Sequence, residues 1–237
     1  MKKITSIFFL LIMIISSNLC FAQNKYGTFM VNSKGNINGK IPDSLLFVMD
    51  KFSTGSILLK NGTQQTGKLN IVTYNQKIWF INEKGDTLVM SNNDDVTMLI
   101  AQNTIFKRIR NNFVNIISQD GDYSFGIIKT LEIKDPPKTA AYGGTSETSS
   151  VTEISTLTNG SGNIYQLNPT HHAPYTLSIE PVLLKKNSMY FPSKKIFLKV
   201  FKKNKEEISN YLKNNKTDFE DAHQVMKLYQ YSVSLEK

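Results

Sequence analysis

Short apolar segments recur between residues 44 and 134, and this spacing constrains the fold more than any other feature of the chain. Ile, Val, Leu and Phe dominate the segments, and Gly, Asn or Asp residues separate them. Segments that recur at intervals of about ten residues, with turn residues between them, are typical of antiparallel sandwiches and barrels. We therefore expect an antiparallel β domain over residues 44–134, built as a sandwich or as a partly open barrel.

Turn residues divide this domain into eight predicted strands. Asn61 and Gly62 favour a type I′ hairpin turn, because both residue types tolerate a positive φ, although residues 63–66 make the loop longer or bulged. Gly85 suits the left-handed position of a bulged hairpin, and Gly121 joins the last two strands. The strand at 77–82 is apolar on both faces, so we expect it to be central and covered on each side. The predicted strands span 56–60, 67–73, 77–82, 87–90, 95–101, 104–109, 113–118 and 123–133.

The segments that flank this domain differ from it in composition. Residues 23–43 are polar and rich in Gly and Asn, so we expect an irregular lead-in with one short strand near 26–31. Residues 135–162 are rich in Ser and Thr, a composition that cannot bury enough surface to offset the entropy of ordering. We expect a linker there, or an extended strap over the β domain. Further strands are expected within 163–190, and the sequence leaves open whether they complete the first sheet.

The hydrophobic period changes to that of helices near the C-terminus. Residues 191–237 place apolar side chains three or four positions apart, with lysines between them, which predicts three short helices. Ser193 is the expected N-cap of the first helix and Asn204 that of the second. The sequence Thr-Asp-Phe-Glu at 217–220 is a capping box for the third. The chain is therefore expected to be mainly β with an α-helical C-terminal tail.

Residues 1–22 have the features of an export signal. Two lysines precede an almost wholly apolar stretch at 4–15, and small residues favour cleavage between Ala22 and Gln23. The apolar stretch is shorter than the roughly 20 residues of a spanning helix. A lipid anchor on Cys20 is the alternative, although Leu19 stands where a lipoprotein signal has a small residue. Cleavage would remove the only cysteine, so the mature chain could form neither a disulfide nor a thiolate site.

The chain carries a formal net charge of +9, and much of the basic excess lies in its lysine-rich tail. Export makes nucleic acid a poor candidate partner, so we expect an envelope protein, a glycan or a lipid instead. Lysines on a helix face can attract lipid phosphates or acidic glycans. The alternative is a solvated helix face without a ligand. The candidate contact residues are Lys194, Lys195, Lys199, Lys202 and Lys203.

The polar residues contain no clear motif for catalysis or metal binding. His171 and His172 are adjacent, and neighbours on an extended chain point to opposite sides, so we expect them to be exposed rather than to chelate one metal. His223 lies in a predicted helix. Neither a nucleophile elbow nor a Ser-x-x-Lys pair occurs in the strand-rich region. We therefore expect no catalytic residue, no metal and no cofactor.

Several sequence strings occur together in a familiar order: GSILLKNGT at 55–63, WF at 79–80, KGDTL at 84–88, YGGTS at 142–146 and FPSKK at 191–195. The arrangement resembles a group of uncharacterised exported proteins common in Bacteroidota, in which a β domain precedes a Ser-rich segment and a lysine-rich helical tail. The resemblance implies a Gram-negative envelope, with a periplasmic, outer-membrane-associated or extracellular location. It also implies that Ser44 and Thr87, in Asp-Ser/Thr-aliphatic triplets, are similar to the O-glycan acceptors of that phylum.

These observations favour an exported, envelope-associated protein that binds a partner without catalysis. A hydrolase acting on envelope or extracellular glycans is one alternative, and it would need two carboxylates about 5 to 9.5 Å apart in a groove. The clustered acids of the β region are Asp94, Asp95, Asp120 and Asp122. The other alternative is an outer-membrane-associated protein that contacts anionic lipid through its lysine-rich helices.

Overall fold

An eleven-stranded antiparallel sheet forms the body of the protein in the computed structural model, which describes residues 24–31, 37, 40–134, 138–139, 145–146, 156–158, 164–166 and 171–236. The strands of this sheet are β1 (Lys25–Val31), β2 (Ser53–Leu59), β3 (Gln64–Ile71), β4 (Ile78–Ile81), β5 (Thr87–Val89), β6 (Val96–Ala101), β7 (Thr104–Ile109), β8 (Asn112–Asp120), β9 (Tyr123–Ile133), β14 (His171–Lys185) and β15 (Ser188–Tyr190). Two short antiparallel pairs lie between β9 and β14: β10 (Lys138–Thr139) with β11 (Thr145–Ser146), and β12 (Thr156–Thr158) with β13 (Ile164–Gln166).

Helices occur mainly at the C-terminal end of the described chain. They are α1 (Asp43–Leu46), α2 (Lys194–Val200), α3 (Lys205–Asn214) and α4 (Ala222–Ser234). Two 3₁₀ turns, at Asn93–Asp95 and Lys202–Asn204, connect β5 to β6 and α2 to α3. The expected mainly antiparallel β fold with a helical C-terminal region is confirmed. No helix within the described ranges is long and apolar enough to cross a membrane.

The sheet consists of two runs of sequential strands, which meet where β2 pairs with β6. The order is β5-β4-β3-β2-β6-β7-β8-β9-β14-β1, with β15 pairing with β14 beyond the end of β1. After β5 the chain crosses back to place β6 beside β2, and the strands then run outward in the opposite direction. The sheet remains open, with β5 and β1 at its two edges. Of the strands expected within 163–190, β14 joins this sheet by pairing with both β9 and β1, whereas β13 pairs only with β12 in a separate two-stranded sheet.

A buried glutamine connects the turn after β3 to β8 and β9 by hydrogen bonds. Gln76, in the turn after β3, is only 5% exposed, and its Nε2 donates to the carbonyl oxygens of Thr73 (2.9 Å) and Lys129 (3.1 Å). Its Oε1 accepts from the backbone N–H of Phe113 at 3.0 Å. The turn thereby reaches β8 and β9, and the sheet curls around an apolar core. That core is formed mainly by Ile57, Leu59, Leu69, Ile71, Ile78, Val96, Leu99, Phe106 and Phe113.

The hairpin turns agree with the sequence except in one detail. Gly62 has a φ of +81°, but Asn61 does not share the positive φ that a type I′ turn requires, so that turn type was wrong. The Asn61 side chain instead accepts from the N–H of Thr63 at 2.9 Å, and Gly62 alone takes the left-handed position. The bulged hairpin at Gly85 is confirmed, with a φ of +89° and a 3.0 Å bond from its N–H to the Asn82 carbonyl.

Strand β4 lies next to the edge of the sheet rather than at its centre. Its two faces are nevertheless both covered. Phe80 packs against the main core, whereas Trp79 meets the ring of Phe47 edge-on at 5.8 Å. The segment that follows α1 therefore covers the second face of β4. The prediction that both faces are covered is confirmed, and the prediction that the strand is central is wrong.

Helices α2, α3 and α4 pack on β9 and β14 through an aromatic cluster. Phe125 of β9 and Leu183 of β14 lie beneath Phe197, which is fully buried and stacks 5.9 Å from Phe201. Lys185 holds the end of α2 to the sheet, because its Nζ donates to the carbonyl of Val200 at 2.9 Å. The helical layer is thus fixed to the sheet by buried rings and one lysine.

The helix starts agree only partly with the predicted caps. Ser193 caps α2 as expected, since its Oγ accepts from the N–H of Ile196 at 3.3 Å. Asn204 stands at the N-cap of α3 but makes no capping bond, and its amide donates to Glu236 instead. The capping box at 217–220 was wrong: α4 begins at Ala222 and is capped by Asp221, which accepts from the N–H groups of His223 and Gln224.

The Asp221 carboxyl illustrates why the cap lies one turn later than expected. Burial opposes its ionisation, but hydrogen bonds from the side chain and N–H of Gln224 and from the N–H of His223 outweigh burial and lower its pKa. The Gln224 amide also donates to Asp221 Oδ2 at 2.8 Å. An Asp followed by Gln at the third position is itself a capping signal, and the sequence contains it.

The predicted cleavage point between Ala22 and Gln23 lies outside the described residues, as does most of the Ser-rich segment at 135–162.

Candidate functional site

A shallow, open groove of about 640 Å³ lies on the outer side of the helical layer. It is formed by α2, the 3₁₀ turn that follows and the first residue of α3. Its described lining consists of Lys194, Lys195, Leu198, Lys199, Lys202 and Lys205. We call this surface the lysine groove. Five ammonium groups therefore surround one apolar side chain.

Helical geometry explains which lysines meet in the groove. Lys195 and Lys199 are one α-helical turn apart, so they share a face. After Val200 the chain tightens into a 3₁₀ turn, in which residues three apart are aligned. Lys202 and Lys205 are therefore brought onto this face. Lys203, which an uninterrupted α-helix would place below Lys199, is not among the lining residues.

The lysine groove concentrates positive charge without a neutralising partner. All five lining lysines are exposed, and none of them takes part in an ion pair in the described part of the chain. Like charges one helical turn apart destabilise a helix. The buried side of the same segment, with Phe197 and Val200, offsets that cost by anchoring α2 to the sheet. The result is a rigid backbone that presents mutually repelling ammonium groups.

One contact orients the sheet side of the groove. The ammonium group of Lys199 lies 5.8 Å from the centre of the Tyr190 ring, a cation–π distance. Tyr190 belongs to β15, which pairs with β14. Beyond Lys205, a neighbouring concavity of about 410 Å³ continues along α3 and includes one acid, Glu206. The cationic region therefore ends on α3.

A smaller cavity of about 280 Å³ has the opposite charge. It is lined by Glu180 of β14, by Glu220 and by aromatic residues that include Phe191 and Phe219. It lies where β14 has no strand partner on one side in the described pairing, between the end of β1 and the start of β15. Burial, and then repulsion from Glu220, raise the pKa of Glu180 above its ordinary value.

The four clustered aspartates have structural partners. Asp94 receives a hydrogen bond of 2.9 Å from Arg108, and Asp95 lies 3.9 Å from the ammonium group of Lys60. Asp122 lies 3.7 Å from the ammonium group of Lys186. None of the four belongs to the described lining of the concavities above. Their contacts fit roles in turns and surface ion pairs.

Asp120 differs from the other aspartates because it contacts the helical layer. Tyr229 of α4 is fully buried, and its hydroxyl donates to Asp120 Oδ2 at 3.0 Å. Burial and this hydrogen bond raise the pKa of Tyr229, so the phenol stays protonated and remains a donor. Asp120 therefore ties α4 to the turn between β8 and β9.

The histidines are spread over two elements. His171 and His172 begin β14 opposite Val31 and Met30 of β1, with His172 exposed, and His223 lies in the first turn of α4. The described residues contain no group of three or more His, Cys, Asp or Glu side chains placed to hold a metal ion. Ser44 and Thr87, the predicted O-glycan acceptors, are both exposed, and their modification stays a prediction.

Four of the five lysines predicted from the sequence line the groove, and Lys205 lines it in place of Lys203. Lys194, Lys195, Lys199 and Lys202 line the groove, while Lys203 does not. Sequence reasoning missed Lys205 and Leu198. Their spacing of three and four from lining lysines could have indicated them, but only with the 3₁₀ turn known. Comparison with protein-family models, curated proteins and solved structures gave no match.

Proposed function

We propose that the protein is an exported, envelope-associated binding module that holds a ligand bearing several anionic phosphate oxygens in the lysine groove, without catalysing a reaction. The observation that carries the proposal is the lining itself: five unpaired lysines around one leucine, with no acid among the described lining residues. Ammonium groups bind phosphate strongly as point charges. The resemblance to exported proteins supports the location.

The charge of the groove, rather than its shape, favours a ligand with several phosphates. The groove is shallow and open, and each lysine near an anionic surface contributes about 1 kcal/mol of attraction. Leu198 offers an apolar contact at the centre of the charges. Both lipid headgroups and soluble polyanions carry such phosphates, so the experiment separates these two sources.

A glycan hydrolase has less support. Its four candidate carboxylates are divided between the 3₁₀ turn before β6 and the turn between β8 and β9. Each carboxylate is occupied by an ion pair or a hydrogen bond. A hydrolase of this kind needs two carboxylates that face each other across a groove, and none of these four aspartates lines a described concavity.

The test is calorimetric titration with inorganic tripolyphosphate, alongside cosedimentation with vesicles of phosphatidylcholine mixed with phosphatidylglycerol. We expect saturable binding to tripolyphosphate that weakens as salt is added, because salt screens exposed charges. Replacing all five lining lysines with glutamine should weaken it by at least about a hundredfold, given about 1 kcal/mol per lysine. Binding to vesicles as well would identify a lipid headgroup as a source of the phosphate.

The matched control replaces five exposed lysines outside the groove with glutamine: Lys51, Lys60, Lys68, Lys84 and Lys186. It changes the net charge equally, so it should leave binding nearly intact. Lys203→Gln alone should also have little effect, since Lys203 does not line the groove. Equal losses in both five-lysine variants would show a nonspecific charge effect and refute the proposal. Binding only to polygalacturonate, a carboxylated glycan, would refute the choice of phosphate.

A further inference from the structure

The strands from β2 to β8, which surround the main core, form what we call the curled half of the sheet. A third concavity, of about 530 Å³, opens there and has an uncharged lining. Its apolar part consists of Ile57, Leu69, Phe80, Val89 and Met90, which come from β2 to β5 and the residue after β5. The remaining described lining is Gln65, Thr66, Gly67, Ser91 and Asn92. We call this cavity the neutral cleft. Its size lies within the range of about 300 to 1,000 Å³ that is usual for small-molecule sites.

The path of the chain creates the neutral cleft. β2, β3 and β4 contribute neighbouring inner-face residues, with Leu69 directly opposite Phe80 in the pairing of β3 with β4. After β5 the chain must return to reach β6 on the far side of β2. Met90, Ser91 and Asn92 lie on this return path and form the facing wall. The cleft is therefore a consequence of the strand order and not of a chance surface depression.

The two parts of the lining recognise different parts of a ligand. Ile57, Leu69 and Met90 are at most 7% exposed and offer an apolar floor. Gln65 on one side, and Ser91 and Asn92 on the other, supply both donors and acceptors. No Lys, Arg, Asp or Glu occurs in the lining described for this cleft. An ionised ligand would lose its hydration without gaining a counter-charge, which is costly in an apolar site.

We propose that the neutral cleft binds an uncharged amphiphile, with its apolar chain against Ile57, Leu69 and Phe80 and its hydroxyl or ester groups between Gln65 and the facing Ser91 and Asn92. The absence of charge in the described lining determines this choice, since an uncharged ligand can be buried there without a counter-charge. The cleft uses residues 57–92, whereas the lysine groove uses residues 194–205. This inference is therefore independent of the proposed phosphate binding.

The test is titration of the protein with Nile red, an uncharged dye that becomes fluorescent in apolar sites, followed by competition. We expect saturable binding of one dye molecule, displaced by decanoylglycerol below its micellar concentration. Decanoate, which has the same acyl chain but an ionised head, should compete at least about tenfold less well. Because the site is apolar and neutral, added salt should not weaken dye binding, in contrast to binding in the lysine groove.

Two variants locate the binding. A Cβ on Gly67 would meet nothing within 4 Å, so Gly67→Phe introduces a ring without a backbone clash at a lining position. Ser91→Trp narrows the opposite wall at an exposed, non-strand residue and remains informative if the first variant does not fold. Each should weaken dye binding about tenfold or more, whereas Thr54→Phe, on an exposed part of β2 outside the cleft, should not. Unchanged binding in both variants, absence of saturable binding, or equal competition by decanoate would overturn the proposal.

Discussion

The curled half of the sheet and the helical layer are stabilised by different kinds of contact. In the curled half, single buried amides such as Gln76 join backbone groups that the strand ladder does not pair. In the helical layer, stacked rings such as Phe197 and Phe201 cover β9 and β14. Buried amides are directional, because a misplaced donor or acceptor is left unpaired. Buried rings are less directional and supply more apolar area.

The two regions also present different surfaces. The helical layer gathers lysines into a cationic groove, whereas the curled half encloses a cleft with neutral walls. Each surface follows from the way its region is held. A helix anchored by rings on one face is free to carry charge on the other, and the chain that returns after β5 leaves a partly open cleft with an uncharged lining. The two regions therefore carry surfaces of different chemistry on one scaffold.

Removing a ring from the helical layer should have the largest effect. Phe197 is fully buried between Phe201 and Phe219, so Phe197→Ala should lower the free energy of unfolding by about 3 to 5 kcal/mol. Trp79, the only tryptophan, reports on the sheet by fluorescence, and far-UV circular dichroism reports on the helices. Both transitions should shift together, because Phe125 and Leu183 join the layer to the sheet.

Phe191→Ala is the matched control for this substitution. Phe191 is 52% exposed, so its truncation should change stability by less than about 0.5 kcal/mol. If Phe197→Ala shifted the dichroism transition while leaving the Trp79 transition in place, the helical layer would be a separate unfolding unit. The comparison would then describe two domains rather than two regions of one fold.

Removing the buried amide of the curled half should have the next largest effect. Gln76→Ala leaves the buried N–H of Phe113 without its acceptor, at a cost of about 2 to 3 kcal/mol in chemical denaturation. Gln76 also has a φ of +53°, which glycine adopts without strain. Gln76→Gly therefore removes the side-chain hydrogen bonds while keeping a residue suited to this backbone conformation. Gln76→Gly should be destabilised as well. Wild-type stability in that variant would assign the role of residue 76 to its backbone conformation.

The pH dependence of Glu180, in the acidic cavity beside the helical layer, should give the smallest effect. Because burial and Glu220 raise its pKa in the folded state, the folded protein binds the Glu180 proton more tightly than the unfolded chain does. The resulting stabilisation is complete below the ordinary value of 4.5 and is lost as the pH rises through the raised pKa. Glu180→Gln should therefore raise Tm slightly at neutral pH and lose that advantage below 4.5.

The exposed Glu132 on β9 provides the control for this pH profile. Glu132→Gln removes the same charge from an exposed position outside the acidic cavity, so it separates the loss of one charge from the effect of that cavity. A Glu180→Gln profile parallel to that of Glu132→Gln would mean that Glu180 is not held at a raised pKa by its surroundings. The acidic cavity would then make no contribution of its own to the pH dependence of Tm.

The sequence predicted the strands better than it predicted the way they fold onto each other. Alternating apolar residues determine a strand locally, and the strands at 104–109 and 123–133 match β7 and β9. The curl depends on the long-range bonds of Gln76 to β8 and β9, and nothing in its neighbourhood distinguishes it from an exposed turn residue. Long-range hydrogen bonds of one side chain leave no periodic signal.

The candidate site could be predicted in part for the same reason. Lysine spacing identified the cationic face of α2, because helical periodicity is local. The set of lining residues depends on the short 3₁₀ turn after α2, which moves Lys203 away and brings Lys205 in. The neutral cleft could not be predicted, since it requires β6 to lie beside β2 and the chain after β5 to face β3. Strand order of this kind is a tertiary property.

The most direct test of the phosphate-binding proposal is nuclear magnetic resonance of the isotope-labelled protein titrated with tripolyphosphate. We predict that amide chemical shifts change mainly at residues 194–205, and that these changes disappear when the five lining lysines are glutamine. Residues 57–92, which form the neutral cleft, should not respond. Shift changes spread evenly over exposed lysines throughout the chain, or retained in the five-lysine variant, would contradict the account.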